Sequence, residues 1–229
     1  MPGFVDAALE KAVTIPSATI HAHVEKVRRR NPGADPQQLV RLLEKEYLRV
    51  VRTTGGAVGA AAAAPSVGTG VAAALTVGDV ATFFGASAAF ALAVASVHGI
   101  DVQDSQRRKA LLLATLLGES GAKAVSDAAG VSVTHVARSL LTRMPLRTVK
   151  TVNSQLTRRM IRRQAAKQGG LALGRLAPFG IGALIGVAGG RALGATVVEG
   201  ARAAFGPAPE RFPQVAEVAP TPPRELPTT

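Results

Sequence analysis

The chain offers four histidines, fifteen carboxylates and no cysteine with which to bind a metal or move a proton near neutrality. His21 and His23 stand two residues apart. On a helix they face different sides, which makes a poor metal pair. Asp79, His98 and Asp101 bracket a long apolar stretch and could meet in space as a polar site. Helix capping is the other job that suits both aspartates. No serine occupies a nucleophile-elbow setting. Without cysteine, thiolate catalysis, disulfides and cysteine-held metals are excluded. No catalytic residue, metal, cofactor or small-molecule substrate is therefore expected, and the chain reads as non-enzymatic.

Glycine is the next candidate. GGAVG at 55–59 looks like a phosphate-binding turn. Such turns work when a strand delivers glycines to a helix N-terminus, where free amides meet the phosphate. Here a charged amphipathic helix precedes the glycines and no GK[ST] follows. The spacing suits helix packing instead. Gly55 and Gly59 are four apart, and Gly182, Gly186, Gly190 and Gly194 form an unbroken every-fourth series. Residues four apart share a helix face, so each series makes a groove that admits another backbone. An interior glycine costs about 1 kcal/mol relative to alanine, and close packing is the simplest compensation.

The third chemistry is cationic. The formal net charge is +12 and the pI about 11.3, which favours anionic partners, a membrane surface or a nucleic acid. Two clusters are the candidate contacts with membrane or other anions: Arg107, Arg108 and Lys109, and then Arg158, Arg159, Arg162 and Arg163. No acid occurs from 128 to 198. The basic run lacks interleaved aromatics, which argues against stacking on single strands. VSDAAGVSVTHVARSLL (125–141) is similar to a repressor helix-turn-helix, with Gly130 at the turn, and opens a DNA-binding alternative. Against it, Ser139 stands where an apolar residue is wanted, and Met144-Pro145 cuts the second helix short.

These residues must be carried on helices, because no run alternates apolar and polar residues between hairpin turns. Helical patterns cover 4–14 and 17–30, divided by Pro16. In NPGADPQQLV, Asp35 is placed to cap, Pro36 to open the helix and Gln38 to close a capping box. Leu39, Leu43, Tyr47 and Val50 share the inward face that follows. From Thr53 to Ile100 there is no lysine or arginine; Pro65 and the Gly68/Gly70 pair split this stretch, and 80–97 is uncharged throughout. Its length reaches the threshold for a bilayer span, with both ends on the cytoplasmic side, but its alanine content suits a buried soluble hairpin equally. The first twenty residues lack a secretory core, so a cytoplasmic or inner-face location is expected. Seven prolines after Gly206 predict a disordered tail over 206–229, leaving a helical domain at 1–205.

Taken in order, TTGGAVGAAAAAPSVGTG, the GD at 78–79, VHGID at 97–101, LLLATLLGESG at 111–121 and RLAPFGIGALIGVAGGRALG resemble the EcsC-like family over roughly residues 37–206. The PGADPQQLVRLLEKEYL opening is similar to that of a group of actinobacterial members. The resemblance implies an all-helical fold and membrane association, and it carries over no catalytic residue. The chain departs from the family pattern at His98, where an aromatic is common, and at Gly190, where an asparagine is frequent. The expectation is thus an all-α, compact multi-helix domain with two Gly/Ala-rich central segments. Three functions fit it: a basic protein on or partly in the cytoplasmic face of a membrane, a helix-turn-helix DNA binder, or a soluble helical carrier of an apolar ligand.

Overall fold

A computed structural model describes the backbone of residues 2–62, 69–130, 136–171 and 181–213, and the side chains of 6–54, 80–128, 136–162 and 190–213. The fold is all-helical, with no strand among the described residues. In chain order the elements are α1 (Pro2–Ala12), α2 (Ser17–Arg30), α3 (Pro36–Ala62), α4 (Thr69–Val97), α5 (Ser105–Leu116) and α6 (Glu119–Ala129). A short α7 (Val136–Arg138) runs into a π-wound turn at Ser139–Arg143, and α8 (Leu146–Leu171) and α9 (Ile181–Phe205) complete the series.

Local chemistry sets the boundaries. The reciprocal capping box forms as expected: Asp35 Oδ1 accepts from the Gln38 amide at 2.7 Å, and the Asp35 amide donates to Gln38 Oε1 at 3.3 Å. Asp104, rather than Asp101, caps α5 by accepting from the Arg107 amide at 2.9 Å. Gly130 ends α6 in the left-handed conformation (φ 62°) that a side chain would resist.

The core is built around α5. Ala110 through Thr115 are all buried, so this stretch of the helix has no solvent face and needs neighbours on every side. It packs against α4, α6, α8 and α9, while α1 and α2 cover α4 and the long α3 pairs with α9 and α4. The inward face of α3 carries Leu39, Leu43 and Tyr47 and continues to Val51; Val50, expected on that face, is exposed. A four-residue step keeps the stripe on the same side better than the three-residue step to Val50. Tyr47 stacks on Phe90 of α4 (centroids 4.8 Å apart) and its hydroxyl shares a 2.9 Å hydrogen bond with Ser87.

Small residues bring α9 close. A Cβ on Gly194 would stand 3.0 Å from Leu48 and 3.6 Å from Val51 of α3. At Gly200 the approach is tighter: a Cβ would lie 2.4 Å from the Thr115 carbonyl oxygen and 2.9 Å from the Gly118 Cα. Gly190 is half-buried. Gly55, Gly59, Gly182 and Gly186 are helical, but their packing lies outside the described residues.

The last helix, α9, ends at Phe205, but the chain does not leave the surface there. Gly206–Pro213 form a non-helical strap whose Phe212 packs on the core, with the Arg28 guanidinium 4.2 Å above its ring. Pro213 sits over Gly99, where a Cβ would come within 2.5 Å of the proline ring. Gly99 also has φ of 70°, so glycine is required there twice over. The rest of the expected tail, 214–229, lies outside the described residues.

Candidate anion-binding surface

The two basic clusters have opposite fates. Arg107, Arg108 and Lys109, expected as surface contacts, are drawn into the protein. Arg107 donates to the carbonyls of Leu140 (2.6 Å) and Met144 (2.8 Å), closing the end of the π-wound turn. Arg108 is 6% exposed and donates to the carbonyls of Val102 (2.6 Å), Val13 (3.1 Å) and Ile15, and to Ser17 Oγ at 2.5 Å. Its guanidinium therefore ties the α1–α2 connection to the start of α5. Lys109 is buried too, with Nζ 3.1 Å from Asp6 and 3.5 Å from Glu10 on α1. The reason is the capping step: once Asp104 starts a helix, the next residues enter its first turn, and the apolar run behind them turns that face inward. The three cations are structural and unavailable to an external anion.

Arg158, Arg159 and Arg162 stand exposed on α8, while the side chain of Arg163 lies outside the described residues. The buried face of α8 carries Val149, Val152, Asn153, Leu156 and Met160. At 100° per residue, Arg147, Thr151, Ser154, Arg158 and Arg162 fall on the opposite side, flanked by Lys150 and Arg159. Arg147 and Lys150 are exposed and were not among the expected contacts; the helical phase of Arg147 with Arg158 was the available signal. No ion pair engages any of these five cations among the described residues. Three cations elsewhere are met by carboxylates: Glu44 holds Arg202, Glu25 lies 3.4 Å from Arg28, and Lys109 has its two acids.

The two described members of the polar triplet, His98 and Asp101, take other partners. Asp101 is exposed and faces His21, whose Nε2 lies 3.6 Å away, and it accepts from Gln103 at 2.5 Å. Burial pulls the Asp101 carboxyl upward, and the bonds from Gln103, Ser17 and His21 overcome that to hold it below the usual range. His21 Nδ1 in turn lies 2.9 Å from Ser96 Oγ, and His23 pairs with Glu46 at 3.3 Å, so the two histidines do face different sides. His98 is half-buried against Phe205, with ring centroids 5.1 Å apart. Burial and then Arg138 keep its imidazole below the ordinary histidine range. Asp79 lies within α4, and its side chain is outside the described residues. Among the described residues no three or more His, Asp or Glu side chains are grouped to hold a metal. A small depression is lined by the apolar Ile20, Leu92, Ile100 and Val102 and by four polar residues, of which Arg108 bonds Ser17 and His21 faces Asp101.

The 125–141 stretch begins as expected, with α6 turning at Gly130. Residues 131–135 lie outside the described residues. Beyond them Val136–Arg143 makes three α-helical residues and then five π-wound ones, with Val136, Ala137, Leu140 and Leu141 buried. A groove-reading helix needs a regular outward face, and here only Arg138, Thr142 and Arg143 are exposed.

Within α4, Val80–Val97 is long and apolar enough to cross a membrane, and 56% of it is buried inside the protein. A core helix of a soluble protein satisfies the same criteria. No family model, curated protein or solved structure matches this chain.

Proposed function

We propose that this chain is a non-enzymatic, basic helical protein that associates peripherally with the anionic, cytoplasmic face of a membrane. The observation that carries this reading is the outward face of α8, where Arg147, Lys150, Arg158, Arg159 and Arg162 are exposed and make no ion pair among the described residues. Cations held near one another cost self-repulsion, which an anionic lipid surface relieves by about 1 kcal/mol per basic residue. The engagement of α4 with Tyr47 and the core favours peripheral binding over spanning. The resemblance to the EcsC-like family points the same way.

Sedimentation of the full chain with vesicles tests it. Binding should require anionic lipid and weaken with salt. Replacing Arg158, Arg159 and Arg162 together by alanine should lower partitioning about a hundredfold, the equivalent of about 3 kcal/mol. A chain that shifts duplex DNA at physiological salt but ignores anionic vesicles would make the α8 face a nucleic-acid contact and sink the membrane reading.

A further inference from the structure

We infer that the α8 face recognises lipid phosphomonoester headgroups, beyond responding to negative surface charge. The inference rests on the membrane reading above and specifies its partner. Four of the five exposed cations on this face are arginines: Arg147, Arg158, Arg159 and Arg162, with Lys150 the exception. A guanidinium presents a planar fork of donors that grips two oxygens of one phosphate, whereas an ammonium acts as a point charge. Arg158 and Arg162 are four residues apart on the side of α8 directly opposite its buried stripe. That spacing sets their Cβ atoms about 5–6 Å apart, close enough for both forks to converge on one headgroup. Ser154 is exposed one turn before Arg158 and adds a hydroxyl donor to the same row. The row contains donors and no carboxylate.

A phosphomonoester suits such a row better than a phosphodiester. It carries about −1.5 to −2 charge near neutrality and three terminal oxygens, so two guanidinium forks can be satisfied at once. A phosphodiester carries one charge and two free oxygens, so it offers a second fork less charge and fewer acceptors. The bilayer is the source of the phosphate because the row is a convex helix face on the protein surface. It can lie on a plane of headgroups but cannot enclose a soluble anion.

The test uses the full chain and two sets of neutral-lipid vesicles, doped with phosphatidic acid or phosphatidylglycerol to equal measured surface charge. The expected result is at least fivefold tighter binding to the phosphatidic acid vesicles. Arg158→Lys with Arg162→Lys should keep phosphatidylglycerol binding within about twofold and abolish the preference. Millimolar inorganic phosphate should not displace the protein from phosphatidic acid vesicles. Equal binding to both vesicle types would overturn the headgroup inference while leaving the membrane reading intact. Loss of the preference in a surface control, Arg138→Lys with Arg143→Lys, would move recognition off α8 and overturn it as well. Displacement by inorganic phosphate would show a soluble-anion site, and binding to neither vesicle would remove both readings.

Discussion

Glu44 and Arg202 are 158 residues apart in the chain and meet in a two-pronged ion pair, Nε to Oε1 at 2.7 Å and Nη2 to Oε2 at 2.6 Å. The pair is lopsided: the Glu44 side chain is 8% exposed and that of Arg202 63%. Removing the arginine strands a buried carboxylate, whereas neutralising the acid leaves an arginine that water can solvate. Arg202→Ala should therefore cost about 2 kcal/mol and Glu44→Gln about half that. Urea-unfolding midpoints at neutral pH would rank them, and the reverse order would contradict the assignment of the burden to Glu44.

Arg108 and Arg158 look alike in sequence, each in a short basic run, and should respond to substitution in opposite ways. Arg108→Lys removes the fork that reaches three carbonyls and a hydroxyl, and should destabilise the fold by about 3 kcal/mol. Arg158→Lys should stay within about 0.5 kcal/mol, the usual range for a solvated side chain. Thermal melts of the two variants side by side decide the matter.

The glycines make a graded series. Gly85 has open space around its missing Cβ, so Gly85→Ala should stabilise by up to about 1 kcal/mol through helix propensity alone. At Gly194 the neighbour is the tip of Leu48, a side chain able to yield, and alanine there should be near neutral. Gly200 faces backbone at 2.4 Å, and Gly200→Ala should cost about 3 kcal/mol or prevent folding. Equal effects at all three positions would refute the close approach of α9 to α5.

Tyr47 is the chain's one tyrosine and there is no tryptophan, so tyrosinate absorbance reports a single site. Burial pushes its hydroxyl up to about 12, with the Ser87 bond opposing the rise. The unfolded tyrosine ionises near 10, so the folded state binds the extra proton between about 10 and 12. Stability is full below that window and falls as pH rises through it. Absorbance should climb late and together with loss of helical circular dichroism. Titration near 10 with the helices intact would place Tyr47 at the surface.

Much of the helical layout is legible in the sequence, because caps and breakers act locally. Pro16, the Asp35–Gln38 box and the glycine after α6 each leave a mark within four residues. The packing role of Gly194 is legible for the same reason. Gly200 escapes the every-fourth pattern, since its partner is a turn of another helix and the contact follows the crossing of the two. The basic clusters show the same limit. Charge composition cannot separate Arg108 from Arg158, because what distinguishes them is whether carbonyls from residues some ninety positions away converge on the side chain. For the polar triplet, sequence proximity suggested His98 for Asp101, and tertiary packing supplied His21 from α2 instead.

The pairing of α3 with α9 also has a consequence for biosynthesis. The face of α3 bearing Tyr47, Leu48 and Val51 emerges early from the ribosome, while Gly194, which lies against it, follows well over a hundred residues later. Throughout that interval an apolar surface near the start of the chain waits for its cover. Nascent chains halted before α9 should be the most readily degraded and the most prone to associate, a vulnerability set by the order of synthesis rather than by the strength of the finished contact.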